Sequence, residues 1–343
     1  MTKFCVIGDP QNRPNCSSKI IIDNINDAAV KLGLYDREGV KVNYSCLCDD
    51  FGLKTDVFIS VFESAFPTFI LDNAKERPIL NVSRDGMIFA LDGGYPSEKV
   101  SYVCLGVRSD LWKVGKSNLN KNKFRILTNG ESNSRSCLVE TIQAFGELFA
   151  GRKDIELYIR DREATDLFKQ YVKDKAKMYN GEIIHDDRAL TNIQDEIDIY
   201  ATADFNININ KSSTWNLRAI ESLSCSVPTI SIEYSGNREY SQHCHSTLNV
   251  DYRLEKITDE DLDIAQNLGL RNYLFYPSQY KWAKTPYWAV PSVQSIKDCM
   301  HILYESKEMR DRLSFYGRKM AEYFSWERTA QNLSWELSRL LKS

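Results

Sequence analysis

The stretch Asp198 to Gly236, DIYATADFNININKSSTWNLRAIESLSCSVPTISIEYSG, decides the fold. In chain order it closes a helix, runs an apolar strand over Phe205–Ile209, crosses a polar loop at Asn210–Ser213, starts a helix at Thr214 that lasts to Cys225, and enters a second strand over Pro228–Ile232. Strands joined through a helix pair in parallel, because the crossover brings the chain back to the same edge of the sheet. The pattern therefore predicts a parallel α/β sheet that presents a helix N-terminus, capped by Ser213, to a nucleotide-linked ligand. The unpaired N–H groups and the positive end of the helix dipole are what a phosphate seeks there.

Towards the N-terminus the same alternation extends back to Phe124. A strand over Phe124–Thr128 precedes a helix with the apolar stripe Leu138, Ile142, Phe145 and Leu148/Phe149. A strand over Ile155–Ile159, a helix around Ala164–Met178, a strand over Glu182–Ile184 and a helix over Ile193–Ala201 follow. Before Phe124 lies KVGKSNLNKNK, Lys113 to Lys123, nearly devoid of apolar residues and with the composition of a linker. Upstream, strand signals recur at Lys3–Asp9, Val40–Cys46, Val57–Phe62, Pro78–Val82 and Lys99–Cys104, with an amphipathic helix over Ser18–Leu34. The chain thus reads as two Rossmann-like domains facing each other across a cleft, the first ending near residue 118 and the second spanning 119–310. Helices over Ser292–Glu305 and Lys307–Leu341, the latter broken near Phe324-Ser325-Trp326, are expected to pack back on the first domain from residue 311 onward. The aromatic-rich piece Arg271 to Trp288 has no clear period, and Tyr240 to Val290 as a whole reads weakly.

At 343 residues the chain is long enough for two cores. Hydrophobic residues at 43% and charged ones at 27% fit a globular composition, and a net charge of −3 provides no global attraction for nucleic acid or anionic lipid. No run of eighteen apolar residues and no basic start followed by an apolar core occurs, so the expectation is a cytoplasmic protein without a membrane span. Nine scattered cysteines, an odd number, are read as reduced thiols. His243-Cys244-His245 lacks a second ligand pair at metal spacing, so no metal is expected.

Several motifs carry a resemblance. Ala201-Thr202-Ala203-Asp204, the loop Asn210–Ser213 and Glu221-Ser-Leu-Ser-Cys-Ser-Val-Pro228 resemble the family 4 (group 1) retaining glycosyltransferases of GT-B architecture. So do Cys104 to Trp112, Thr128-Asn129-Gly130 through Phe145, Ser235 to Tyr240, and Gly317-Arg318 to Trp326. The resemblance implies sugar transfer with retention from a nucleotide diphosphate donor, a UDP-sugar, to a hydroxyl acceptor, with no cofactor beyond that donor. In the family a carboxylate at the loop edge and a glutamate eight positions on bracket the donor helix; here those places hold Ser213 and Glu221, about 12 Å of helical rise apart. The family's Arg and Lys in the loop after the first strand of the second domain correspond to Glu131 and Ser136, with Arg135 adjacent. Its glycine pair before the first helix corresponds to Ser17-Ser18, and its glycine after the second strand to Arg160-Asp161.

The chemistry assigns roles to these positions. Breaking the sugar–diphosphate bond puts negative charge on the leaving phosphate, so fixed donors and cations must surround it. Ser213 and Thr214 at the helix start, Gly130 at a strand end, and Arg135, whose forked guanidinium matches phosphate oxygens, are expected there, with Lys211, Lys19 and Arg13 in reserve. Glu221 is expected to accept hydrogen bonds from the ribose, or else to pair with Arg218 three residues earlier. Ser17, Ser18 and Lys19 would line the donor from the first domain, and Asp85 or Glu63, near the ends of strands, would orient the acceptor hydroxyl unless they are surface-loop carboxylates. The acceptor is a glycan or a hydroxymethylated DNA base, the aromatics and cations of Arg271–Trp288 suiting either. A non-catalytic nucleotide-sugar, carbohydrate or DNA-binding protein of the same fold is the alternative reading, and a GT-B-shaped sugar epimerase a third.

Overall fold

The computed structural model describes residues 4–7, 23–25, 27–28, 31, 42–44, 57–60, 79–114, 122–161, 164–190, 192–242, 245–272, 276–279 and 286–340. Two parallel sheets organise the chain. The first comprises β1 (Phe4–Ile7), β2 (Val42–Tyr44), β3 (Val57–Ser60), β4 (Ile79–Asn81) and β5 (Val100–Tyr102), in the order β2-β1-β3-β4-β5. Helix α1 (Arg84–Asp92) connects β4 to β5; Ser83 caps it by accepting a hydrogen bond from the Gly86 N–H.

The second sheet has six strands in the order β11-β10-β9-β6-β7-β8: β6 (Phe124–Gly130), β7 (Ile155–Asp161), β8 (Ile183–Asp186), β9 (Phe205–Ile207), β10 (Thr229–Ile232) and β11 (Leu248–Val250). The intervening helices are α2 (Leu138–Phe149), α3 (Asp166–Tyr179), α4 (Ile193–Ala201), α5 (Leu217–Ser224) and the short α6 (Arg238–Ser241). Ile126, Leu157, Ile159, Phe205, Ile207, Ile230 and Ile232 form one apolar face, which packs on α2 and α3. The opposite face is largely polar, because β7 and β9 alternate: Glu156, Tyr158 and Arg160 on one strand, Asn206 on the other, with Asn208 just beyond its end.

The weak region after Tyr240 holds an antiparallel pair, β12 (Tyr252–Lys256) and β13 (Tyr287–Pro291), and helix α7 (Asp259–Asn267). A capping box at the start of α7, Thr258 with Asp261, was legible as a motif, although no apolar period accompanies it.

Helices α8 (Val293–Glu305), α9 (Lys307–Tyr323) and α10 (Trp326–Leu340) end the chain. α10 lies on the first sheet: Leu333, Leu337 and Leu340 share a core with Leu80, Val82, Val103 and Val107. The Thr329 hydroxyl donates to the Cys104 carbonyl at 3.0 Å, and the Ser101 hydroxyl to Glu336 at 2.6 Å. A Cβ at Gly106 would stand 2.3 Å from the Trp326 nitrogen, so only glycine admits the returning backbone. Arg318 ties three segments together through the carbonyls of Ser109, Trp112 and Ser224.

Candidate active site

The order of the second sheet locates its crevice. Strands β6, β7 and β8 step one way and β9 begins on the other side of β6, so the topological switch point falls between β6 and β9. Crossovers leave in opposite directions there and open a space beyond the carboxyl ends of the two strands. A Cβ built on Gly130, the last residue of β6, would meet nothing within 4 Å.

A ladder of asparagines lines this opening. The Asn208 amide donates to the Asn129 carbonyl at 3.0 Å, and its oxygen accepts from Asn210 at 3.1 Å and from Asn216 at 2.5 Å. Asn129 in turn donates to the Tyr200 hydroxyl at 3.0 Å, and that hydroxyl to the Arg218 carbonyl at 3.1 Å. The alternating run NININ over 206–210 builds the ladder, since every second residue faces the same side. Strand β9 ends at Ile207, two residues short of the expected span; the Asn208 N–H still donates to the Ile230 carbonyl at 2.9 Å, and the side-chain amides of Asn208 and Asn210 add their own bonds.

Helix α5 starts later than its sequence suggests. Asn216, not Ser213, is the N-cap, accepting from the Ala219 N–H at 3.3 Å, and the helix runs over Leu217–Ser224. The Ser213 carbonyl is held instead by the Gly236 N–H at 2.7 Å, and the Ser213–Thr214 peptide packs so closely on Gly236 that a Cβ there would lie 1.9 Å from the Thr214 oxygen. That tertiary contact pulls residues 213–215 out of helical register. Ser213 is half-buried at the crevice, and Thr214 is buried.

Glu221 is buried on α5, 3.3 Å from Arg218, whose guanidinium also reaches Glu196 on α4 at 2.5 Å. Arg218 therefore stands between two carboxylates. Burial, followed by the charges of Glu221 and Glu196, pushes the Tyr200 hydroxyl far above its ordinary range and keeps it a neutral hydrogen-bonding group. Arg135 is half-buried in the loop after β6; its backbone N–H donates to the Asn133 side-chain oxygen at 3.0 Å, and its carbonyl accepts from the Lys211 backbone N–H at 2.8 Å. Lys211 lies 3.1 Å from Glu140 and 4.8 Å from the centre of the Trp288 ring. Burial works against its charge, but Glu140, Cys137 and Asp261 together outweigh that and hold the ammonium above its usual value.

Asp85 is not in a surface loop. It occupies the first turn of α1, buried, 3.3 Å from Arg238 of the second lobe. Burial raises its carboxyl above the ordinary value, against the pull of Arg238, Arg84 and the Ser235 N–H. Sequence reading missed α1 because its polar start follows β4 directly; Ser83 three residues before Gly86 was the available signal. Glu63, Ser17, Ser18, Lys19 and Arg13 lie outside the described residues, as do His243 and Cys244. Among the described residues no group of three or more metal-ligating side chains converges.

A second cluster at the ends of β7 and β8 went unassigned in the sequence. Asp186 accepts from Tyr158 at 2.5 Å and from Arg188 at 2.8 and 2.9 Å. Burial works against its charge, yet those bonds hold its carboxyl well below the ordinary range. Buried Arg160 donates to the Asp186 carbonyl at 3.0 Å, while its Nε and Nη2 have no partner among the described residues.

Two parallel sheets with their strand ends at a common seam, and a last helix crossing back to the first, define the architecture. The fold is GT-B. No protein-family model and no curated protein sequence matches the chain. Among solved structures it is similar to Anabaena HepE in complex with UDP and glucose, at 11% identity and a TM-score of 0.65, covering 98% of this chain and 99% of that one. It is equally similar to sucrose-phosphate synthase from Thermosynechococcus elongatus, at 10% identity, a TM-score of 0.65 and full coverage of both chains. WaaG, a glycosyltransferase involved in lipopolysaccharide biosynthesis, has 9% identity and a TM-score of 0.65 over 97% of this chain and 98% of its own. At such identities the likeness lies in the GT-B fold, and the side chains at the crevice are this chain's own.

Proposed function

We propose that the protein is a glycosyltransferase that moves a sugar from a nucleoside diphosphate donor, a UDP-sugar, to a hydroxyl acceptor, with retention at the anomeric carbon. The observation that carries this reading is the open switch point between β6 and β9, floored by Gly130 and flanked by the amino end of α5. Anionic ligands are favoured by such a helix end, and the neutral asparagine ladder behind it supplies fixed dipoles without a competing negative charge. The HepE structures hold UDP, UDP with glucose, or UDP-glucose in the same fold, which supports the choice of donor.

On this reading Arg135 and the backbone N–H groups around Ser213 and Thr214 face the diphosphate, and Gly130 leaves room for it. Glu221 serves the ribose with Arg218 setting its orientation, and Lys211 stiffens the loop instead of meeting phosphate. The leaving phosphate itself takes the proton of the acceptor hydroxyl, so a serine at position 213 is compatible with turnover. Asp85 orients the acceptor side from α1. We take residues 1–118 as the acceptor-side lobe, 119–310 as the donor lobe and 311–343 as the returning helices, with a glycan or a hydroxymethylated DNA base as acceptor. Cys104, Cys137, Cys225 and Cys299 are free thiols, which suits the reducing cytoplasm, and no helix among the described residues is long and apolar enough to cross a membrane.

Incubation with UDP-glucose and an acceptor panel tests the proposal: UDP is released, the product gains a hexose mass, and both are lost in Glu221→Ala. A non-catalytic binding protein is the second reading, favoured by the internal pairing of Arg218 with Glu221 and of Lys211 with Glu140. It predicts calorimetric binding of UDP-glucose with no UDP released over hours.

A further inference from the structure

The segment 235–240 touches both lobes, and the two sides of the contact differ in kind. Towards the donor loop it is bound by backbone and shape. The Gly236 N–H holds the Ser213 carbonyl, no side chain fits between Gly236 and Thr214, and Tyr240 packs edge-on against Trp215 at 5.9 Å while its hydroxyl donates to Asn237 at 2.7 Å. Towards the first lobe it is bound by charge. A Glu239 oxygen accepts the Arg84 N–H at 2.7 Å, at the very start of α1, where a carboxylate also meets the positive end of the helix dipole. The other Glu239 oxygen lies 3.5 Å from the Cys104 thiol, which burial and then Glu239 keep protonated and able to donate. Arg238 meets Asp85 one residue further along α1, and the Ser235 N–H joins that carboxylate.

We propose that Arg238 and Glu239 are positioning residues that register α1 of the first lobe against the Ser213–Asn216 loop, so that one short segment sets both the donor loop and the opposite wall of the cleft. The assignment of that loop to the donor rests on the function proposed above; the mechanical claim does not. Steric contacts with a glycine do not yield without moving backbone, whereas the half-buried Arg238 and Glu239 side chains trade an ion pair and a hydrogen bond for water when the lobes part. The segment therefore travels with the second lobe and releases α1 when the lobes part. The reaction needs the acceptor wall brought to the donor within a fraction of an ångström, and these two side chains do the bringing.

Amide exchange separates the two halves of the claim without any assay of turnover. In Glu239→Ala, exchange over residues 84–92 accelerates about tenfold while residues 214–224 keep their protection. Glu239→Gln, whose carbonyl still accepts the Arg84 N–H, restores most of it, and Arg238→Met gives the same pattern should the alanine variant fold poorly. Unchanged exchange at 84–92 in both Glu239→Ala and Arg238→Met, or equal acceleration over 214–224, overturns the proposal. With UDP-glucose as the probe, Glu239→Ala lowers the kcat of transfer about tenfold, leaves the donor KM and UDP affinity within about twofold, and raises the share of donor lost to hydrolysis. A parallel loss of UDP affinity contradicts it. Should the wild-type protein neither bind UDP nor release it from UDP-glucose, the functional reading fails while the exchange result still decides the seam.

Discussion

At the carboxyl edge of the second sheet, Asn129, Asn208 and Asn216 are neutral and buried, Asn210 is half-buried, and all four are bonded together through Asn208. At the seam between the lobes, Asp85 and Arg238 pair as charges and Glu239 accepts the Arg84 backbone N–H. The contrast shows how one chain makes one polar region rigid and another separable. Neutral amides inside a network have nowhere better to go, since each loses its partner if any member leaves. Charges at an interface regain full hydration when it opens, so their pairing is close to balanced between the two states.

Gly236→Ala attacks the point where the two regions join and has the largest expected effect. With a backbone oxygen 1.9 Å from the added carbon, the Ser213–Thr214 loop must shift, at a cost of about 3 kcal/mol. Calorimetry should find UDP binding weakened more than tenfold, about 1.4 kcal/mol or more. An alanine protein that melts and binds like wild type would break the claim that the segment is locked to the loop. Asn208→Ala comes next: it strips partners from Asn129, Asn210 and Asn216 together, and chemical denaturation should register a loss of about 2 kcal/mol. A loss below about half a kcal/mol would mean that the ladder is not cooperative.

Two carboxylates sharpen the comparison through pH. Asp186 is held below the ordinary value near 3.8, so its stabilising contribution is complete above that value and disappears as pH falls through the lower folded one. Asp186→Asn should therefore destabilise at neutral pH and flatten the acid limb of the stability curve, measured by urea titration from pH 7 down to about 2. Asp85 is raised above 3.8, and its sign is opposite: it favours folding below 3.8 and loses that contribution as pH rises through the folded value. Asp85→Asn should have the smallest effect of the series, within about 1 kcal/mol at neutral pH, and remove a decline in stability just above pH 3.8. Equal pH responses in the two variants would contradict the opposite signs assigned to the two carboxylates.

How much of this was legible in the sequence differs along the chain in the same way. Ile193–Ala201 was read to its ends, because Asn192 caps it and its apolar period is complete. The second sheet's β6, β7, β9 and β10 were located by short apolar runs between helices, and the glycines at 106, 236 and 317 fell inside the motifs singled out. β12, β13 and α7 were not read: β12 is exposed along most of its length, and α7 buries only Leu262 and Ala265, so neither shows a strong period. Among the site residues, Glu221 with Arg218 was foreseen as one of two alternatives, while the cluster of Tyr158, Arg160, Asp186 and Arg188 was not, since residues nearly thirty positions apart share no local pattern.

Local alternation of apolar strand and amphipathic helix sufficed to specify two parallel sheets, because burying one face of each element is a requirement that every segment expresses in its own composition. Where α5 begins, and whether Asp85 faces water or a partner lobe, depended on contacts from Gly236 and Arg238, which are distant in sequence from α1 and outside the loop they hold. Helix propensity and capping favour a start at Thr214 by no more than about 1–2 kcal/mol, and a single close backbone contact made by the folded chain exceeds that.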